Sequence, residues 1–245
     1  MTTVTEPITT AGTPAEAGST PDTDATFGSG GGEPYARALR QADTGSLFLH
    51  ETNSGELGDS ATMDFAKWNA DADDTDLTLL RAVTGPVLDI GCGPGRMVRA
   101  AMDLGLSVLG IDVSPTAIEL ATKLGLPVLE GSVFDALPGE GAWQTALLVD
   151  GNIGIGGDVP AMLARCRDLL SPTGEIVVEL HSDPTRHHTF TGTLVDTHGA
   201  QSASFPWAEV GLDRLVEMAT PLALELTQAW EMGGRNFCRL ARAAK

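Results

Sequence analysis

Two acids and three closely spaced glycines are the residues of this sequence best suited to chemistry. The apolar run Val87-Leu88-Asp89-Ile90 carries an acid at its third position and enters Gly91-Cys92-Gly93-Pro94-Gly95-Arg96. Glycines at Gly91, Gly93 and Gly95 let the backbone turn tightly and bring its amides close to a ligand, just before a helix whose N-terminus favours anionic or polar groups. About twenty residues on, a second apolar run ends at Asp112, followed by Val113, where a carboxylate can accept hydrogen bonds from both hydroxyls of a ribose. The pair predicts a nucleotide-type cofactor. Two loop types stay open here: a dinucleotide loop reads G-x-G-x-x-G, whereas this one places its third glycine at Gly95 and Arg96 at the sixth position.

A third apolar run leads to Gly131-Ser132-Val133-Phe134-Asp135 and a fourth to Val149-Asp150-Gly151-Asn152, followed by a glycine-rich stretch to Asp158. Ligands of open parallel sheets bind beyond the carboxyl ends of the strands. That rule makes Asp150, Gly151 and Asn152 neighbours of the cofactor and makes Asp150, Asn152 and His181 candidates for the acceptor pocket. His181 is the best-placed general base, against the ordinary alternative of a solvated loop histidine. His187 and His188 are adjacent and so point apart in an extended chain. Phe65 and Trp68 could cap the cofactor from the N-terminal helices, but packing on the sheet edge is the expectation, and Cys92 is expected to act through its backbone. Cys92, Cys166 and Cys238 lie far apart without paired spacing, so neither a zinc site nor a disulfide framework is expected, and a reducing cytoplasm fits.

These residues need a scaffold, and the pattern supplies one. After Pro86, short β-branched runs (PVLDIG, SVLGIDV, PVLEGS, QTALLVDG, GEIVVEL) alternate with amphipathic stretches (GRMVRAAMDLG, SPTAIELATKLG, VPAMLARCRDLLS). This is the signature of βα units winding a parallel sheet, an α/β fold. The final LALELTQAWEMGG and RNFCRLAR, joined by Gly233-Gly234, predict an antiparallel hairpin. The resulting division is a disordered tail over 1–32, a helical cap over 33–83, a cofactor core over 84–180, a β-rich substrate-side insertion over 181–205, and a terminal helix and hairpin over 206–245. Fifteen Lys and Arg against 33 Asp and Glu give a net charge of −18. Such a field repels phosphate backbones and anionic membranes, so nucleic acid and membrane are not expected partners. The opening residues lack a positive leader and an apolar stretch, which predicts no secretory signal.

Asp89-Ile90-Gly91-Cys92-Gly93-Pro94-Gly95 resembles the first motif of the class I S-adenosylmethionine-dependent methyltransferases, and Gly110-Ile111-Asp112-Val113-Ser114 the second. The resemblance spans roughly residues 79–180. It implies a Rossmann-like seven-stranded sheet in order 3-2-1-4-5-7-6 and S-adenosylmethionine as cofactor. Asp89 would then hold the methionyl amino group, Gly91 and Gly93 the methionyl and ribose parts, and Asp112 the ribose. Many relatives place an acid where Ser132 stands to meet the adenine amino group; here Ser132, the Val133 backbone or Asp135 would do so. The aromatic tetrad of amino-methylating nucleic-acid enzymes and the acid set of metal-dependent catechol-type enzymes are both absent. The implied reaction is methyl transfer to a small molecule without a metal. A non-catalytic S-adenosylmethionine-binding protein and an NAD-dependent reductase are the rival readings.

Overall fold

Local sequence sets the helix starts. In the computed structural model, which describes residues 26–28, 34–41, 46–53, 56–63 and 65–243, helix α3 (Asp74–Arg81) opens with a reciprocal capping box. The Asp73 carboxylate accepts from the Asp76 amide at 2.8 Å, and the Asp76 carboxylate accepts from the Asp73 amide at 3.2 Å. Ser114 caps α5 (Pro115–Lys123) by accepting from the Ala117 amide, with Pro115 in the first turn. Asp158 does the same for α6 (Val159–Leu169) through the Ala161 amide. The remaining helices are α1 (Pro34–Gln41), α2 (Phe65–Asn69), α4 (Arg96–Asp103) and α7 (Leu212–Ala219).

Strands β3 (Val87–Ile90), β4 (Val108–Asp112), β5 (Val128–Glu130), β6 (Trp143–Leu148), β7 (Leu170–Leu180), β10 (Leu224–Met232) and β11 (Arg235–Arg242) form one sheet in the order β10-β11-β7-β6-β3-β4-β5. Counted along this sheet alone, that order is 3-2-1-4-5-7-6, as the motif resemblance implied. Pairing is parallel from β5 through β7 and antiparallel at β7–β11 and β11–β10. Successive residues alternate between two apolar layers. Leu88, Ile90, Ile176 and Val178 meet α6 residues Met162, Leu163 and Cys166 on one face, and Val87, Val177 and Phe237 meet α4 residues Met97, Val98 and Ala101 on the other. Covered faces on both sides explain why these strands read as continuous apolar runs.

Strands β1 (Leu47–Asn53), β2 (Glu56–Met63), β8 (His187–Asp196) and β9 (Phe205–Val210) make a second, fully antiparallel sheet in the order β2-β1-β8-β9. The expectation of a purely helical cap over 33–83 is therefore corrected: an antiparallel hairpin sits between α1 and α2. Only Leu47 and Leu49 of β1 give a buried alternation, and the strand is fixed by pairing with β8 well over a hundred residues away, which no local pattern encodes. The insertion after β7 is β-rich as expected, with β9 continuing past residue 205 to Val210. The tail expectation is corrected in part. Thr26–Gly28 pack on the body through Phe27, whose ring meets Tyr35, Trp68, Phe205 and Trp207; the rest of 1–32 lies outside the described residues. Among the described residues no helix is long and apolar enough to cross a membrane.

Candidate functional site

A cavity opens beyond the carboxyl ends of β3, β4 and β6, and its floor is the loop from β3 to α4. Gly91 turns that loop at φ +71, where the Gly91 and Cys92 amides both donate to the Ile111 carbonyl at 2.9 and 3.1 Å. The Asn152 side-chain amide then donates to the Ile90 and Gly91 carbonyls at 2.8 and 3.0 Å, so close that a Cβ on Gly91 would lie 2.7 Å from Asn152 Nδ2. Gly95, at φ +95, is the cap of α4, and a Cβ there would lie 2.4 Å from Leu126. It serves the close packing of the loop against α5 and the turn that follows it, and does not itself line the cavity. Cys92 lines the cavity but is buried beside Gly110 of β4. Burial, with the Asp112 and Asp89 charges, pushes its thiol well above the usual range.

Asp112 organises the neighbouring edge. One of its carboxylate oxygens accepts from the Gly93 amide and the other from the Ser114 amide, both at 2.8 Å. Each oxygen keeps a further lone pair for a ligand hydroxyl. Burial raises the Asp112 carboxyl above its ordinary value, with those amides pulling the other way. Val113, Ser132 and Val133 line the same side of the cavity. Asp135 does not: its carboxylate accepts from the Ser132 amide at 3.2 Å and forms the turn.

Asp89 is the anomaly of the site. It is 1% exposed and lines the cavity, yet neither carboxylate oxygen has a hydrogen-bond partner. Burial first, then the Asp150 and Asp112 charges, push its carboxyl up to about 8. A buried polar group without a partner costs free energy that a well-placed donor recovers. The acid thus presents unmet hydrogen-bonding capacity to the cavity.

Asp150 lines the cavity but its carboxylate is already engaged. It pairs with Lys67 at 2.7 Å, with Arg235 at 3.4 Å and closely with Arg96. Its amide donates to Glu179 at 2.6 Å, which holds the residue in the left-handed region at φ +54. Arg96 also contacts Asp76, and Arg235 bridges Asp76 and Glu179 at 2.7 Å each. The cluster sets three cations against three anions. Burial by itself would raise the Asp150 carboxyl, but Arg96, Lys67 and Arg235 outweigh it and hold the group below the usual range. A carboxylate so stabilised is a poor proton acceptor. Gly151, at φ +82, starts the single turn Asn152–Gly154 and lies just behind the lining.

His181 does not reach the site. Its amide donates to the Val210 carbonyl at 3.0 Å, and its ring accepts from the Asp183 amide at 3.1 Å on an exposed turn. Position just past a strand end gave the correct end of the sheet, but the tie to β9 turns the side chain outward. His187 and His188 lie on β8; the latter meets Glu51 at 3.0 Å. Trp68 packs with Phe27 and Tyr35 and also lines the cavity, whereas the Phe65 side chain lies outside the described residues. Among the described residues no group of His, Cys, Asp and Glu is placed to hold a metal ion.

Sequence reasoning missed two parts of this site. The first is the charge cluster, foreshadowed only by Arg96 standing in place of a dinucleotide-loop glycine. The second is most of the aromatic roof, Phe27, Tyr35 and Trp207, contributed by segments whose meeting depends on the second sheet; Trp68, their neighbour, was open in the sequence as a cap over the cofactor.

Comparison with known proteins agrees with this geometry. The family described as a methyltransferase domain matches residues 87–174. The chain is 38% identical over 91 residues to a mitochondrial ubiquinone biosynthesis O-methyltransferase of Schizosaccharomyces pombe, covering 36% of this chain and 29% of that protein. It is 35% identical over 98 residues to a ubiquinone biosynthesis O-methyltransferase of Rhodopseudomonas palustris, covering 38% of each. The chain thus spans about a third of the length of these curated relatives. Among solved structures, a SAM-dependent methyltransferase from Bacteroides fragilis in complex with S-adenosyl-L-homocysteine superposes with a TM-score of 0.68 at 19% identity, over 86% of this chain and 93% of that one. The segment that builds the glycine loop, Asp112 and Asp150 thus matches a methyltransferase domain, and the chain shares the fold of the solved SAM-dependent methyltransferase.

Proposed function

We propose that this protein is a methyltransferase that uses S-adenosylmethionine to methylate a small molecule. The observation that carries the reading is Asp89, a fully buried carboxylate with no partner, facing a cavity whose other side presents Asp112. The residues present fit that cofactor. Asp89 would take the ammonium of the methionyl part, Asp112 the ribose hydroxyls, and Ser132 with the Val133 backbone the adenine. When bound, S-adenosylmethionine supplies an electrophilic methyl on a positively charged sulfur, which passes in line to a nucleophilic atom of the acceptor while the bonding pair stays on sulfur.

The chain's own contribution is placement. Asn152 and Asp112 lock the glycine loop from two sides, and the Lys67–Asp150 and Arg96–Asp76 pairs tie α2 to the end of β6 and α3 to the start of α4. Tyr35, Trp68 and Trp207 cover the cavity and limit water. Among the described residues no histidine or lysine lines the cavity, and its cations hold the Asp150 carboxyl below the usual range. Holding donor and acceptor at reacting distance can by itself supply ~7–11 kcal/mol of a bimolecular barrier. A small acceptor also agrees with the net charge of −18, which disfavours nucleic acid.

Incubation with methyl-labelled S-adenosylmethionine and a fractionated metabolite extract tests the reading. A labelled small product whose formation requires Asp89 supports it. Tight cofactor binding with no labelled product from any fraction would instead make the protein a non-catalytic binder.

A further inference from the structure

The ring of Phe27 occupies a cage of aromatic side chains at the roof of the cofactor cavity. Its centroid lies 5.1 Å from Tyr35, 5.3 Å from Phe205, 5.5 Å from Trp207 and 6.1 Å from Trp68, with three of the four contacts edge-to-face. Aromatic pairs prefer this arrangement and this range of separation. The cage walls are firmly seated: Tyr35, Phe205 and Trp207 are 3%, 2% and 6% exposed and share one apolar cluster. Phe27 itself is only half-buried and lines the same cavity as Asp89 and Asn152. Trp207 also faces the Asp150–Gly151 turn, since a Cβ on Gly151 would lie 3.8 Å from its ring. The cage therefore adjoins the ends of β3 and β6, where an acceptor must approach.

Charge narrows the occupant further. The ionisable residues of opposite sign that line the cavity are three acids, Asp89, Asp112 and Asp150, and one arginine, Arg96, which is spent on Asp76 and Asp150. Among the described residues no unspent cation lines the cavity to meet a carboxylate or phosphate on the acceptor.

We propose that Phe27 is a self-ligand, and that the cage of Tyr35, Trp68, Phe205 and Trp207 takes the aromatic ring of an uncharged or cationic methyl acceptor in its place. The proposal rests on the methyltransferase reading above and names the acceptor class for that site. A ring tethered to the protein competes at an effective concentration in the millimolar range, so removing it should unmask the cage for weak ring-bearing ligands.

The test is calorimetric titration of phenol, and of cyclohexanol as its saturated counterpart, into the protein saturated with S-adenosylhomocysteine. Phe27→Ala should bind phenol about tenfold more tightly than the unmodified protein, with no comparable gain for cyclohexanol. Phe27→Leu, which keeps an apolar side chain and guards against a folding defect in the alanine variant, should show a smaller gain in the same direction. Unchanged or weaker phenol binding in both variants, or an equal gain for cyclohexanol, overturns the proposal. Titrating S-adenosylhomocysteine into each protein beforehand separates the cage from the cofactor site. Failure of S-adenosylhomocysteine itself to bind would overturn the methyltransferase reading, whereas normal binding with no gain for phenol would overturn the cage alone.

Discussion

Replacing Asp89 by asparagine should make the free protein more stable while disabling it as a cofactor binder. The Asp89 carboxyl is raised from 3.8 to about 8 by burial, reinforced by Asp150 and Asp112. Between those two values the folded state holds a proton that the unfolded state has released, so stability falls as pH rises through this window and is greatest below it. At about 1.4 kcal/mol per pH unit, the 3.2 units from 3.8 to pH 7 amount to a penalty of order 4 kcal/mol. Asparagine keeps the shape and carries no charge, so Asp89→Asn removes the penalty. For a chain of this size that is on the order of 10 °C in melting temperature. The assay is thermal or urea unfolding of both proteins, without ligand, at pH 5.5, 7 and 8. The advantage of the variant should widen by roughly 1.4 kcal/mol per unit from pH 5.5 to 7 and begin to level off near pH 8, where the folded acid itself ionises. In the same variant, S-adenosylhomocysteine affinity should fall by 1.5–3 kcal/mol or more, the scale of a hydrogen bond to a charged group. A variant that is no more stable than the parent at pH 7, or whose advantage does not change with pH, would refute the account of Asp89 as a buried acid waiting for a cation.

Other outcomes follow from the same geometry. Asp112→Ala removes the acceptor of the Gly93 and Ser114 amides as well as the expected ribose contact, so cofactor affinity by calorimetry should drop at least tenfold, by 1.4 kcal/mol or more. Asn152→Ala frees the Ile90 and Gly91 carbonyls; weaker cofactor binding with little change in acceptor affinity is expected, and the reverse pattern would make Asn152 an acceptor residue. Arg235→Met leaves Asp76 and Glu179 short of a buried partner and should cost ~3–5 kcal/mol in urea unfolding. His181→Ala should leave turnover within twofold, because the ring lies on an exposed turn away from the cavity; a loss of a hundredfold, typical of a missing general base, would contradict that placement.

The parts of the molecule legible in its sequence are those whose information is local. Strands β3, β4, β6 and β7 are covered on both faces and announce themselves as apolar runs. Ser114-Pro115 marks a helix start, and Gly233-Gly234 marks the terminal hairpin. The glycine loop and Asp112 sit within one βα unit, so spacing alone brings them together. Strands β1 and β2 were hidden because LFLHETN and ELGDSATM carry few apolar residues and become strands only by pairing in the second sheet. The same holds for the charge cluster. Lys67, Asp76, Arg96, Asp150, Glu179 and Arg235 come from α2, α3, α4, the end of β6, β7 and β11, and only the strand order of the sheet brings them to one place. Asp150 illustrates the consequence. Its position at a strand end was readable, but the three cations that make it a strut were not.

The central claim is that the cavity over the glycine loop is a S-adenosylmethionine site gripped by Asp89. Calorimetric titration of S-adenosylhomocysteine, with NADH as the competing candidate, addresses it most directly. The account predicts saturable binding of S-adenosylhomocysteine at one site, proton release at pH 7 as the neutral Asp89 ionises against the incoming ammonium, and loss of that binding in Asp89→Ala. Saturable binding of NADH with no heat from S-adenosylhomocysteine, or undiminished binding in the Asp89 variant, would contradict it.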